Sequence, residues 1–169
     1  MHSFALSFNY HQLKEFMQMA IINENLIRLD ADLATQEAVF QELSKMAYLN
    51  NRVTNQQVIV TGLKMREAET TTGFGNGIAI PHTKNKAVKK PTVIVLRNKQ
   101  LINWHSLDGK PVNTIISLLV PVDRGDTHLR MLAKLSRQMM HHEFTDTLKF
   151  DDQQQILTTI SAVLQEGQK

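Results

Sequence analysis

A histidine set directly behind a proline, at the end of a short apolar run, is the residue of this chain with the clearest chemical capability. It closes the stretch Thr70-Thr71-Thr72-Gly73-Phe74-Gly75-Asn76-Gly77-Ile78-Ala79-Ile80-Pro81-His82. An imidazole can present one ring nitrogen as a neutral nucleophile near pH 7 while a hydrogen bond to the other fixes the tautomer. His82 is therefore a candidate nucleophile. What precedes it should hold it still. Three glycines in five positions let the backbone turn tightly or approach a neighbour closely, and Ile78-Ala79-Ile80 reads as a buried strand. Pro81 has no N–H to donate and pushes the residue before it into an extended conformation. The strand should stop there, with His82 at its carboxyl end, where open α/β sheets carry their chemistry.

The run Gly-Asn-Gly-Ile-Ala-Ile-Pro-His, with Arg66-Glu67 ahead of it and Asp126-Thr127-His128-Leu129 opening a leucine-rich helix further on, resembles a known family. It is similar to the fructose/mannitol class of IIA proteins, the EIIA type-2 domain, of the phosphoenolpyruvate-dependent sugar phosphotransferase system. The resemblance covers residues 20–167 and leaves 1–19 as an N-terminal helical extension. It implies that His82 accepts a phosphoryl group from the phosphocarrier protein HPr and passes it to a cysteine of a IIB component. It also implies that Nε2 is the phosphorylated atom; the residues alone leave Nδ1 equally open. Thr83 departs from the pattern, since the family usually carries a very small residue there.

A phosphoryl group in flight spreads charge over three oxygens, so its site needs positioned donors and positive charge more than an acid-base pair. Arg66 offers a planar fork matched to phosphate, and His128 in the first turn of a helix adds an imidazole beside exposed backbone N–H groups. Thr71 and Thr72 could add hydroxyl donors as phosphate-binding support. Each has a plainer reading: a structural histidine after proline, a helix-capping histidine, a solvated arginine at a helix end. The order of the motifs along the chain favours the chemical one.

The elements that must position these residues follow from periodicity. Leu13, Phe16, Met17, Ala20 and Ile21 predict an amphipathic helix, and Asn25–Leu29 a short edge strand. Thr35 can cap a helix whose Val39, Leu43, Met46 and Ala47 share one face. Thr54-x-x-Gln57 has the form of a capping box and should start a second helix, ending near Glu67 to Glu69 and so delivering Arg66 and Glu67 to the entrance of the glycine turn. Lys84 to Lys90 holds four lysines in seven residues and reads as a solvated loop. Thr92 to Leu96 suits a central strand, and Asp108-Gly109 predicts a hairpin between Ile102–Ser106 and Val112–Val120, giving three adjacent antiparallel strands. Asp126 is placed to cap a helix with Leu129, Leu132, Leu135 and Met139 inward, and Asp151 or Asp152 to cap a last helix that Gly167 stops. The sum is a three-layer α/β/α sandwich with a mixed β-sheet flanked by helices on both faces.

With 169 residues, 42% hydrophobic and 21% charged, the chain fits one domain. It has no run of eighteen apolar residues and no secretory pattern, so a cytoplasmic protein without stable membrane insertion is expected. A net charge of +3 without aromatic interleaving argues against nucleic acid as a partner. No cysteine is present, so the IIB acceptor is expected on a separate polypeptide. His2, His11, His105, His141 and His142 form no metal-ligand spacing backed by a third ligand, and the glycine turn is neither a Walker A loop nor a dinucleotide fingerprint. No metal and no cofactor are expected. Two roles stay open: a phosphotransfer step in sugar uptake, and a regulatory interaction protein of the nitrogen-related branch of the same system.

Overall fold

The computed structural model describes residues 9–12, 20–122 and 126–165. In chain order, a 3₁₀ turn (Glu24–Leu26) leads into β1 (Ile27–Ala31), α1 (Gln36–Leu49), α2 (Gln56–Glu69), β2 (Gly73–Gly75), β3 (Ile78–Ala79) and β4 (His82–Lys84). Then come β5 (Thr92–Ile102), β6 (Val112–Val120), α3 (Thr127–Gln138), α4 (His142–Phe150) and α5 (Gln153–Gln165). The six strands make one sheet in the order β1-β5-β6-β3-β2, with β4 also on β6. β5 and β6 are antiparallel, whereas β1 pairs with β5, and β3 and β4 with β6, in parallel. Val93 to Leu96 and Ile115 to Val120 are buried without alternation, as strands covered on both faces must be. Helices α1 and α2 pack on each other and on β5 and β4; α3, α4 and α5 pack on β6, β5 and β1. The fold is a three-layer α/β sandwich.

Local chemistry explains the boundaries. Thr35 Oγ1 accepts the Ala38 N–H at 3.1 Å, the expected cap of α1. The edge strand starts two residues later than the sequence implied, because Asn23 Oδ1 takes the Asn25 N–H at 2.9 Å and holds residues 24–26 in the 3₁₀ turn. Asn55 caps α2, accepting from the Val58 N–H at 3.1 Å; Thr54, the expected cap, instead donates its N–H to Ala87 O at 2.8 Å. That bond draws the lysine loop onto the body, where Ala87 and Val88 are buried while Lys84, Lys86 and Lys89 stay exposed. Asp152, of the two candidates, caps α5 through the Gln155 N–H at 2.9 Å.

Three further expectations change. The strand before the Asp108-Gly109 turn is β5 itself, which runs unbroken from Thr92 and leaves residues 103–111 as a connection, so two antiparallel strands replace three. Helix α4 follows His141, where the sequence showed only a helix end; Arg97 on β5 donates to Leu148 O at 2.8 Å and Asp151 O at 2.8 Å, satisfying carbonyls that its last turn leaves free. In α3 the buried stripe is Met131, Leu135 and Met139, spaced by four, and Leu129 lies roughly 200° round from Met131 and is exposed. The N-terminal helix expected on Leu13, Phe16 and Met17, and the stop at Gly167, lie outside the described residues.

Candidate functional site

The site is assembled where β4 meets α2 and the start of α3. Pairing along β6 is interrupted: β3 matches Thr114 and Ile115, β4 matches Leu118 to Val120, and Ile80-Pro81 bridges the gap. The chain therefore does not leave the sheet after Pro81 as the sequence reading held. It rejoins β6 at once, with His82 opposite Leu118. Two glycines make the preceding turn possible. A Cβ at Gly73 would sit 2.7 Å from the Ser106 Cα, and Gly77 has φ +77°.

Because Pro81 brings no N–H, and the ladder is broken, the Ile80 carbonyl faces the His82 ring, with Nδ1 2.7 Å from its oxygen. A carbonyl only accepts, so Nδ1 carries the proton and Nε2 keeps its lone pair. Arg66, in the last turn of α2, donates Nε–H to that lone pair at 3.1 Å and Nη1–H to Thr70 O at 2.8 Å. Both contacts specify one tautomer. The Glu69 carboxylate lies 4.0 Å from Arg66 Nε.

His128, in the first turn of α3, meets His82 edge to face with ring centroids 5.5 Å apart. Burial pushes the His82 pKa below the usual imidazole value; the Ile80 hydrogen bond opposes this, and the Arg66 guanidinium adds to it. His128 is lowered by burial first, then by His82, Lys84 and Arg66. Both rings are therefore held neutral around pH 7.

The structure thus brings Arg66 and His128 to His82. It ties the hydroxyls of Thr71 and Thr72 within the turn instead: Thr72 Oγ1 donates to Glu67 Oε2 and accepts from Trp104 Nε1 at 3.3 Å, while Thr71 Oγ1 donates to Glu67 Oε1 at 3.3 Å and accepts from the Gly73 N–H at 3.1 Å. Glu67, carried by the motif beside Arg66 but given no role there, is the acceptor both threonines share. Its signal was position, at the end of a helix and five residues before a buried threonine. A groove of about 720 Å³ among α3, α4 and α5, lined by Gln138, His141, Thr147 and Gln155, does not include His82.

The family model described as "Phosphoenolpyruvate-dependent sugar phosphotransferase system, EIIA 2" matches residues 20–163. The PTS system fructose-specific EIIA component of Haloferax volcanii is 36% identical over 141 residues, 83% of this chain and 92% of that protein. Among solved structures, the nitrogen regulatory protein IIA-Ntr of Neisseria meningitidis is 26% identical with a TM-score of 0.75, over 90% of this chain and 98% of that one. The complex of enzyme IIA-mtl with phosphorylated enzyme IIB-mtl from Escherichia coli shares the fold at a TM-score of 0.69 and 15% identity, over 83% and 97% of the two chains.

Proposed function

Because the chain belongs to the EIIA type-2 family of the phosphoenolpyruvate-dependent sugar phosphotransferase system, we propose that it is a phosphoryl carrier with His82 as the transient acceptor. The observation that carries this is the pair of contacts on one ring, Nδ1–H on Ile80 O and a bare Nε2 facing Arg66. The Nε2 lone pair attacks the phosphorus of phosphorylated HPr, the N–P bond to the donor's histidine breaks, and its electron pair returns to that ring. The proton stays on Nδ1 of His82 throughout, hydrogen-bonded to Ile80 O. For the new bond to form, the Arg66–Nε2 hydrogen bond must open, which frees the guanidinium to take phosphoryl oxygens. His128, neutral and in contact, supplies a further donor. A cysteine thiolate of a separate IIB component then attacks the same phosphorus, and Nε2 leaves with its lone pair restored.

Residues 20–167 are the working unit of this reading, in the cytoplasm, and no helix among the described residues is long and apolar enough to cross a membrane. The fructose-specific relative favours a step in sugar uptake. The likeness to the nitrogen regulatory protein keeps a second role in play, a regulatory protein whose binding changes with phosphorylation of the same histidine. Phosphoenolpyruvate with enzyme I and HPr should place one alkali-stable, acid-labile phosphate on the protein, and His82→Ala should abolish it. Stoichiometric phosphate on that variant would overturn the assignment.

A further inference from the structure

We propose that Glu67 is a positioning residue for His82, acting through Thr72 and the Ile80 carbonyl to hold the imidazole with its proton on Nδ1. The role rests on reading His82 as the phosphoryl acceptor, but the geometry behind it is independent of any transfer. Glu67 Oε1 accepts the Thr72 N–H at 2.9 Å as well as the Thr71 hydroxyl, and Oε2 accepts the Thr72 hydroxyl. One carboxylate thereby fixes both the main chain and the side chain of Thr72, which is 4% exposed. The next link is backbone: Thr72 O accepts the Ile80 N–H at 2.9 Å. Ile80 O in turn receives His82 Nδ1–H at 2.7 Å. The path from Glu67 to the ring is three hydrogen bonds long.

A neutral imidazole adopts the tautomer its partners select. Two partners select here: the Ile80 carbonyl on Nδ1, and Arg66 on Nε2. Adjacent residues of α2 therefore divide the task, Arg66 from the reacting side and Glu67 from behind. Without Glu67, the buried Thr72 N–H and O–H lose their acceptors, the turn must relax to reach water, and the Ile80 carbonyl swings off Nδ1. A fraction of His82 then carries its proton on Nε2 and cannot attack phosphorus. Trp104, the single tryptophan, donates its indole N–H to the same Thr72 hydroxyl and so reports on the turn.

Long-range ¹H–¹⁵N spectra of the histidine rings decide the matter at neutral pH, with no phosphate donor present. In the wild type, His82 should show Nδ1 protonated and Nε2 bare. In Glu67→Ala the second tautomer should appear, tryptophan emission should shift to the red, and transfer from phosphorylated HPr should fall on the order of 10²-fold, as for a misplaced reacting group. Glu67→Gln, which keeps an acceptor for the Thr72 N–H, should retain most of the tautomer and the rate. If Glu67→Ala does not fold, Thr72→Val removes the hydroxyl link with little change of shape and should show the same mixing. A wild-type spectrum with the proton on Nε2, or a folded variant whose His82 remains a single Nδ1–H tautomer whatever its rate, would overturn the proposal. A wild type with the expected tautomer that takes no phosphate would instead overturn the functional reading alone.

Discussion

Gly62 of α2 lies against Thr83 of β4 so closely that a Cβ added to the glycine would stand 2.7 Å from Thr83 Oγ1 and 3.1 Å from Asn85 Nδ2. The absence of a side chain at Gly62 is what makes room for Thr83. The contact matters for chemistry because Arg66 follows Gly62 by four residues, on the same face of the helix, and reaches the residue just before Thr83.

Gly62→Ala should therefore set two effects against each other. Alanine in a helix interior is favoured over glycine by about 1 kcal/mol. The added methyl nevertheless pushes α2 away from β4 and draws Arg66 off His82. The expected outcome is a stability change of no more than about 1 kcal/mol with a tenfold or greater loss in transfer rate, on the order of what a displaced catalytic group costs. Thr83→Ala in the same background should restore the rate. Wild-type kinetics in Gly62→Ala alone would show that the contact does not set the arginine.

Substitutions at the two supporting residues should slow transfer without unfolding the protein, since Arg66 and His128 are half-buried at the edge of the sheet. Arg66→Ala and His128→Ala are each expected to cost on the order of 10²-fold in the rate of phosphate transfer from HPr. Arg66→Lys should recover little of it, because an ammonium lacks the fork that spans two oxygens. Rapid-quench measurements in both directions give the rates, and unchanged values in both alanine variants would remove these side chains from the transition state.

The histidines also set a pH dependence. His82 is buried neutral and its folded pKa is lowered, so the unfolded chain binds the proton more readily. Stability is then full above the unfolded imidazole value of about 6.5 and is lost as the pH falls from there through the folded pKa. The slope for one histidine cannot exceed about 1.4 kcal/mol per pH unit. Urea unfolding between pH 7.5 and 5 should show this loss, and His82→Gln should reduce it. Phosphate uptake should stay near its neutral rate to a pH below the ordinary imidazole midpoint, and a His82 titration at or above that midpoint would contradict the buried neutral ring.

The comparison of sequence with structure divides along the range of the signals. Thr35 and the α1 stripe were legible because a cap and a helical period are local. His82 was legible because its motif is contiguous. The end of β5 was not, since Asp108-Gly109 marks a turn but says nothing of where pairing stops; the decisive event is Trp104, which enters the core from the connection at 1% exposure and donates to Thr72, thirty-two residues away. Helix α4 escaped notice because only Phe144, Leu148 and Phe150 of its nine residues are apolar, too few to announce a stripe. The second contact of His82, on Ile80 O, arises from a broken strand ladder, which no side-chain pattern records.

The downstream partner provides the most discriminating experiment. The chain contains no cysteine, so a thiol acceptor lies outside these 169 residues. Exposed apolar residues stand next in sequence to both supporting residues, Met65 before Arg66 at 68% exposed and Leu129 after His128 at 69%. Exposed lysines at Lys84 and Lys86 continue the surface past His82. A carrier must bind donor and acceptor in turn on the same patch and release both, which suits a small, transient interface. Leu129→Ser should accordingly leave stability within about 0.5 kcal/mol of wild type, as for an ordinary surface change, while weakening the encounter. Mixing phosphorylated protein with a cognate IIB domain should discharge the phosphate onto that domain's cysteine, Leu129→Ser should discharge more slowly at low IIB concentration, and a Cys→Ser acceptor should leave the phosphate on His82. The regulatory role predicts the opposite pattern: no IIB domain removes the phosphate, and a stable partner is retained by one phosphorylation state only. Rapid discharge to a IIB cysteine with no such retained partner would exclude it.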